Sequence, residues 1–124
     1  MYKLAHTGIV VGDCERSAQF YKQVLGCEYI EDFENDSTRI IFLRLENGIL
    51  ELIQHKDVAA EYRQAGPIDH LALAVKNIDT EVLRLKKLGI PCLFEEPKEV
   101  LKGKRIMFFS GPDGERLEFI EEEH

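Results

Sequence analysis

Apolar and polar residues along this chain form one pattern that is then repeated. An apolar run near 4–11 alternates in side-chain direction and reads as a strand. A segment with Ala18, Tyr21 and Leu25 at helical spacing follows, with Asp13 as its N-cap. Extended runs near 28–34, 39–46 and 49–54 complete the first pattern. The second has strands near 68–75, 91–96, 104–110 and 115–121. Its helix carries Ile78, Val82, Leu85 and Leu88 on one stripe, behind a possible cap at Asn77. Gly26 and Gly89 stand where a helix C-terminal glycine belongs. Asn47-Gly48 signals a tight hairpin, and Gly111-Pro112-Asp113-Gly114 a turn before the last strand. Residues 55–67 are polar and end in Gly-Pro, which makes them a connector between modules 1–54 and 68–124.

The repeat extends to particular residues. His6-Thr7-Gly8-Ile9-Val10-Val11 aligns with His70-Leu71-Ala72-Leu73-Ala74-Val75, 64 residues later. Each helical stretch ends in Leu-Gly, at Leu25-Gly26 and Leu88-Gly89. Each half closes on a strand with Leu-Glu at its centre, Leu50-Glu51 and Leu117-Glu118. The expected fold is therefore α+β, two tandem βαβββ modules. One module is too small to bury both faces of its sheet. Pairing two solves this, with helices on one face and paired mixed sheets enclosing the other.

Composition narrows the partners. A chain of 124 residues fits one compact domain or two small fused modules. A net charge of −7 disfavours nucleic acid and anionic membranes. No apolar stretch approaches the roughly 18 residues of a membrane helix, and no signal-peptide core is evident at Met1–His6. Cys14, Cys27 and Cys92 are odd in number and lack CxxC spacing, which argues against a disulfide framework or structural zinc. They read as packing residues in a reducing cytoplasm. The run Glu121–Glu123 reads as a solvated tail, His55 as a surface residue, and His124 is given no role.

The chemistry lies in the repeated His and Glu. Glu51 follows His6 by 45 residues and Glu118 follows His70 by 48, a difference ascribed to a longer loop around Pro97–Gly103. Alternation puts Leu4, His6, Gly8 and Val10 on one side of the first strand, and Ile68, His70, Ala72 and Ala74 on one side of the fifth. Gly8 and Ala72 are small and leave room beside each imidazole. Ile9 and Val11, or Leu71, Leu73 and Val75, face the helices. A lone His at a strand start is usually a hydrogen-bonded structural residue, and a lone strand Glu usually faces water. Both types recurring at matched places in two repeats is far harder to obtain by accident. The reading is one divalent metal ion held by His6, Glu51, His70 and Glu118, with Ni²⁺, Co²⁺ or Zn²⁺ preferred over Mn²⁺ or Fe²⁺.

These motifs, with Ser17-Ala18-Gln19-Phe20-Tyr21-Lys22-Gln23-Val24-Leu25-Gly26 and Gly111-Pro112-Asp113-Gly114, resemble the vicinal-oxygen-chelate (glyoxalase–bleomycin resistance–dioxygenase) superfamily across essentially the whole chain. Glu51 resembles the glyoxalase I pattern. Dioxygenase and fosfomycin-resistance branches use two His and one Glu, epimerases usually have Gln at the Glu51 position, and bleomycin-binding members lack the set. Two positions depart from bacterial glyoxalase I: the Arg expected after the first His is replaced within Ile9-Val10-Val11, and the Asn expected after Glu51 within Ile53-Gln54-His55. Lys102, Lys104 and Arg105 are the cations left for an anionic substrate tail, although a solvated loop is their plainer reading. The resemblance implies a lactoylglutathione lyase-like isomerase acting on a hemithioacetal or related hydroxy-carbonyl compound through a metal-stabilised enediolate. It implies Glu118 as the main base, Glu51 as ligand and second base, and a homodimer. The four ligands come from one chain or from two, and both arrangements stay open. The competing readings are another metal-dependent enzyme of this fold, of epimerase or epoxide- or ring-opening type, and a non-catalytic small-molecule-binding resistance protein.

Overall fold

The computed structural model describes residues 1–58, 66–100 and 103–122. Part of the connector, Lys102, Glu123 and His124 lie outside them. The chain forms two compact units, Met1–Glu61 and Tyr62–His124. The first runs β1 (Thr7–Val10), α1 (Cys14–Leu25), β2 (Glu28–Glu34), β3 (Thr38–Leu45) and β4 (Gly48–His55). The second runs β5 (Leu71–Val75), α2 (Ile78–Lys87), β6 (Lys98–Val100), β7 (Lys104–Ser110) and β8 (Arg116–Glu121). Each unit is βαβββ, as the repeat predicts. Each sheet is mixed, ordered β1-β4-β3-β2 and β5-β8-β7-β6, with the first and last strands of the unit parallel at its centre and edge.

The same local chemistry builds both helices. Asp13 accepts from the Arg16 N–H and Asn77 from the Thr80 N–H, so each helix starts on an Asx cap. Gly26 and Gly89 take φ of 68° and 74°, the left-handed conformation that ends a helix without a Cβ clash. Cys14, Ala18, Tyr21 and Val24 form the buried stripe of α1, while Leu25 lies at its margin. In α2 the stripe is Ile78, Val82 and Leu85, and Leu88 is exposed. Against these pack Ile41, Leu43, Leu50 and Leu52 in the first unit and Met107, Phe109, Leu117 and Phe119 in the second. Full burial of each such side chain stabilises by roughly 1.5–3 kcal/mol. Strand alternation then turns Phe42 and Glu51, or Phe108 and Glu118, to the sheet face opposite the helix.

Four expectations are corrected. His6 and His70 stand immediately before β1 and β5, because each parallel ladder begins one residue later, at Thr7↔Leu50 and Leu71↔Leu117. No strand spans 91–96. Pro91 and Pro97 remove donors there, leaving one bridge at Cys92↔Phe109, and the edge strand is Lys98–Val100. The Pro97–Gly103 stretch is therefore no simple loop but includes β6 and enters the turn to β7. Part of the extra His–Glu spacing lies instead in the β7–β8 turn, where Gly111–Glu115 join Ser110 to Arg116 while Glu46–Asn47 alone join Leu45 to Gly48. Glu46–Asn47 thus make the predicted hairpin turn with Gly48 opening β4, whereas His55 ends β4 rather than starting the connector.

Candidate metal centre

Register brings each His to its Glu. Glu51 pairs with Gly8, two residues beyond His6, and Glu118 pairs with Ala72, two beyond His70. His6 Nε2 lies 3.3 Å from Glu51 Oε1, and His70 Nε2 lies 3.3 Å from Glu118 Oε1. Space beside the acid explains the small residues: a Cβ on Gly8 would meet Glu51 Oε1 at 3.5 Å and Ile53 Cδ1 at 3.4 Å. Methyl-sized Ala72 fits the matching place, and a branched side chain would press on the carboxylate. The four side chains thus form two pairs, one in each unit. Among the described residues no three His, Cys, Asp or Glu side chains gather as a metal cage.

Three partners of the pairs escaped the sequence reading. Phe42, opposite Glu51, meets the His6 ring edge-on at 5.9 Å, and Phe108, opposite Glu118, meets the His70 ring edge-on at 5.2 Å. Their recurrence in the third strand of each half was the available signal. Asp69 is the other. Its Oδ2 accepts from His70 Nδ1 at 2.7 Å and its Oδ1 from Arg116 at 3.3 Å. The His70 bond, with Arg116 nearby, holds the Asp69 carboxyl below its ordinary value.

Each pair by itself offers donor types that a divalent cation takes, an imidazole nitrogen and a carboxylate oxygen. His70 stands between two carboxylates, Asp69 at Nδ1 and Glu118 at Nε2. A neutral imidazole has one N–H and satisfies one of them. Asp69 takes that N–H at 2.7 Å, which leaves Nε2 beside Glu118 Oε1 at 3.3 Å. Nitrogen and carboxylate donors suit borderline divalent ions.

Arg105 is otherwise engaged. Arg105 binds Asp79 at 2.9 Å and Glu121 at 3.1 Å, so it is tied to the α2 start rather than offered to a substrate. Lys104 is half-buried at the start of β7. Burial pushes the Cys14 and Cys27 thiols up to about 11, which keeps them protonated and unreactive. Cys14 Sγ donates to backbone carbonyls of Arg39 and Leu52.

The Glyoxalase/Bleomycin resistance protein/Dioxygenase superfamily profile matches residues 3–119. The chain belongs to this superfamily. YwbC of Bacillus subtilis, itself uncharacterized, is 32% identical over 96% of this chain and 97% of its own. Human mitochondrial methylmalonyl-CoA epimerase is 32% identical over 90% of this chain and 68% of its own. Lactoylglutathione lyase of Salmonella typhimurium is 31% identical over 96% and 92%. Among solved structures, SMU.1112c superposes with a TM-score of 0.82 at 28% identity, covering 98% of this chain and 99% of that one. FosX of Listeria monocytogenes, crystallised with Mn(II), shares the fold at a TM-score of 0.79 and 16% identity, over 99% and 94%. No helix among the described residues is long and apolar enough to cross a membrane.

Proposed function

We propose that this protein is a metal-dependent isomerase of glyoxalase I type, with one divalent cation held by His6, Glu51, His70 and Glu118. The observation that carries the reading is the carboxylate in both pairs, each 3.3 Å from its imidazole. Two imidazoles and two carboxylates give an N₂O₂ set that leaves a divalent ion electrically neutral, with Ni²⁺, Co²⁺ or Zn²⁺ preferred. The bound ion would act as a Lewis acid on the substrate carbonyl and acidify the neighbouring C–H.

Glu118 then serves as the base. It is the more buried acid, and a base must stand within hydrogen-bond reach of the proton it takes. In a hemithioacetal, Glu118 takes the proton from the carbon bearing sulfur and returns it to the adjacent carbonyl carbon. The hydroxyl proton moves to the other oxygen, and the product is the isomeric α-hydroxy thioester. Glu51 is the matching ligand and has the chemistry of a second base. Phe42 and Phe108 fix the imidazole planes beside the reacting centre.

Glutathione is expected to be a poor thiol partner. Its carboxylates call for fixed Arg forks, Ile9-Val10-Val11 provides none, and Arg105 is already paired with Asp79 and Glu121. The test is metal analysis followed by methylglyoxal kinetics with a panel of cellular thiols. Turnover of a non-glutathione hemithioacetal supports the reading. Efficient glutathione turnover, kcat/KM of about 10⁶ M⁻¹s⁻¹ or more, overturns the thiol preference. Epimerisation of a 2-methyl thioester without hemithioacetal turnover overturns the glyoxalase reading in favour of the chemistry named for the human relative. A homodimer in the cytoplasm is the proposed working form, supported by the half-exposed sheet faces and three free thiols. A monomeric mass by light scattering with metal bound would refute the dimer.

A further inference from the structure

We propose that Asp69 is the positioning residue of the second half-site: it fixes His70 as the tautomer protonated on Nδ1 and leaves the Nε2 lone pair free beside Glu118. The geometry is a closed circuit. Asp69 Oδ2 receives the Nδ1–H of His70 at 2.7 Å, and Asp69 Oδ1 receives a guanidinium N–H of Arg116 at 3.3 Å. The Arg116 guanidinium carbon lies 4.9 Å over the Phe108 ring. Phe108 closes the circuit by meeting the His70 ring at 5.2 Å and 85°. The hydrogen bond sets which edge of the imidazole faces Asp69, and the aromatic contact sets its plane. Turning the ring over would replace the Nδ1–H with a carbon and lose the bond.

The tautomer follows from the acceptor. An ionised carboxylate only accepts, so the nitrogen it meets carries the hydrogen. The other nitrogen is then the metal-competent one, and outer-sphere carboxylates of this kind also raise ligand basicity. The first half-site lacks the device. Ala5 precedes His6, and Ile49 occupies the place of Arg116, two residues before the Glu. Asp69 is 57% exposed, so the contact works by direction rather than by a large stabilising energy.

The metal consequence rests on the four-ligand reading, whereas the tautomer does not, and the two are tested apart. Long-range ¹⁵N–¹H spectra of metal-free protein at about pH 8, above the ordinary imidazole range, report the tautomer. Wild-type His70 is expected as Nδ1–H. Asp69→Ala should move the proton to Nε2, and Asp69→Asn, whose amide oxygen still accepts, should keep it on Nδ1. Titration with Co²⁺ alone should show affinity roughly 10–100-fold weaker in Asp69→Ala, with a smaller loss in Asp69→Asn. Glu96→Ala, which removes an exposed charge from the same unit, should bind as wild type does. An Nδ1–H tautomer surviving in Asp69→Ala overturns the proposal, as does Co²⁺ affinity within about two-fold of wild type in that variant. Absence of Co²⁺ binding by wild type alongside the tautomer shift overturns the metal reading and upholds the role of Asp69.

Discussion

The two His–Glu pairs share register, distance and an edge-on phenylalanine, yet their surroundings differ. The first pair is the more open, with side chains 44% and 18% exposed for His6 and Glu51 against 31% and 11% for His70 and Glu118. Only the second has the Asp69–Arg116 support. The helix starts differ in the same sense. The Cys14 N–H is received by the neutral amide of Gln54, whereas the matching Ile78 N–H is received by the carboxylate of Glu121, which Arg105 also grips. Repetition of a backbone unit therefore fixes where chemistry is placed. The residues one or two positions away decide how firmly it is held.

The largest expected effect concerns the acids. Glu118→Gln should lower turnover by about 10²–10⁴-fold, the usual contribution of a general base. Glu51→Gln, which keeps an oxygen donor, should cost less. Equal losses would erase the proposed difference in role.

Metal uptake comes next. His70→Ala should weaken binding by more than the roughly 10–100-fold of an outer-sphere change, and by more than His6→Ala does. Full occupancy in the double variant His6→Ala, His70→Ala would refute the four-residue site. Competition titration with a chromogenic chelator provides the reading.

A smaller effect probes the space beside Glu51. Gly8→Ala should bind metal normally, because its Cβ would meet only ordinary contacts at 3.4 and 3.5 Å. Gly8→Val should weaken binding, and metal content of the two purified variants decides it.

The smallest effect is acid stability. The Ile78 N–H, then Arg105, holds the Glu121 carboxyl below its ordinary value. Stability from this contact is present above the unfolded-chain value of about 4.3 and is lost as pH falls through the lower folded value. Gln54 contributes no such dependence. Glu121→Gln should therefore lose less stability than wild type between about pH 5 and 3, measured by denaturant titration at each pH. An unchanged pH slope would contradict the contact.

Legible in the chain alone are the repeat, the helix caps at Asp13 and Asn77, and the glycines Gly26 and Gly89, because caps and left-handed turns depend on neighbours along the chain. The sequence also singled out His6, Glu51, His70 and Glu118 by their matched places. Tertiary structure decided what depends on partners far apart in the chain. Pairing set the true edge strand at Lys98–Val100, since a three-residue edge strand just after Pro97 has little local signature. Sheet register put Phe42 and Phe108 against the imidazoles, and it carried Arg116 to Asp69 across 47 residues of sequence. Arg105, which by sequence was available to a substrate, is held by Asp79 and Glu121 because strand β7 runs beside β8 and beneath the start of α2. A charge pattern records which cations exist, and only folding decides which are already neutralised.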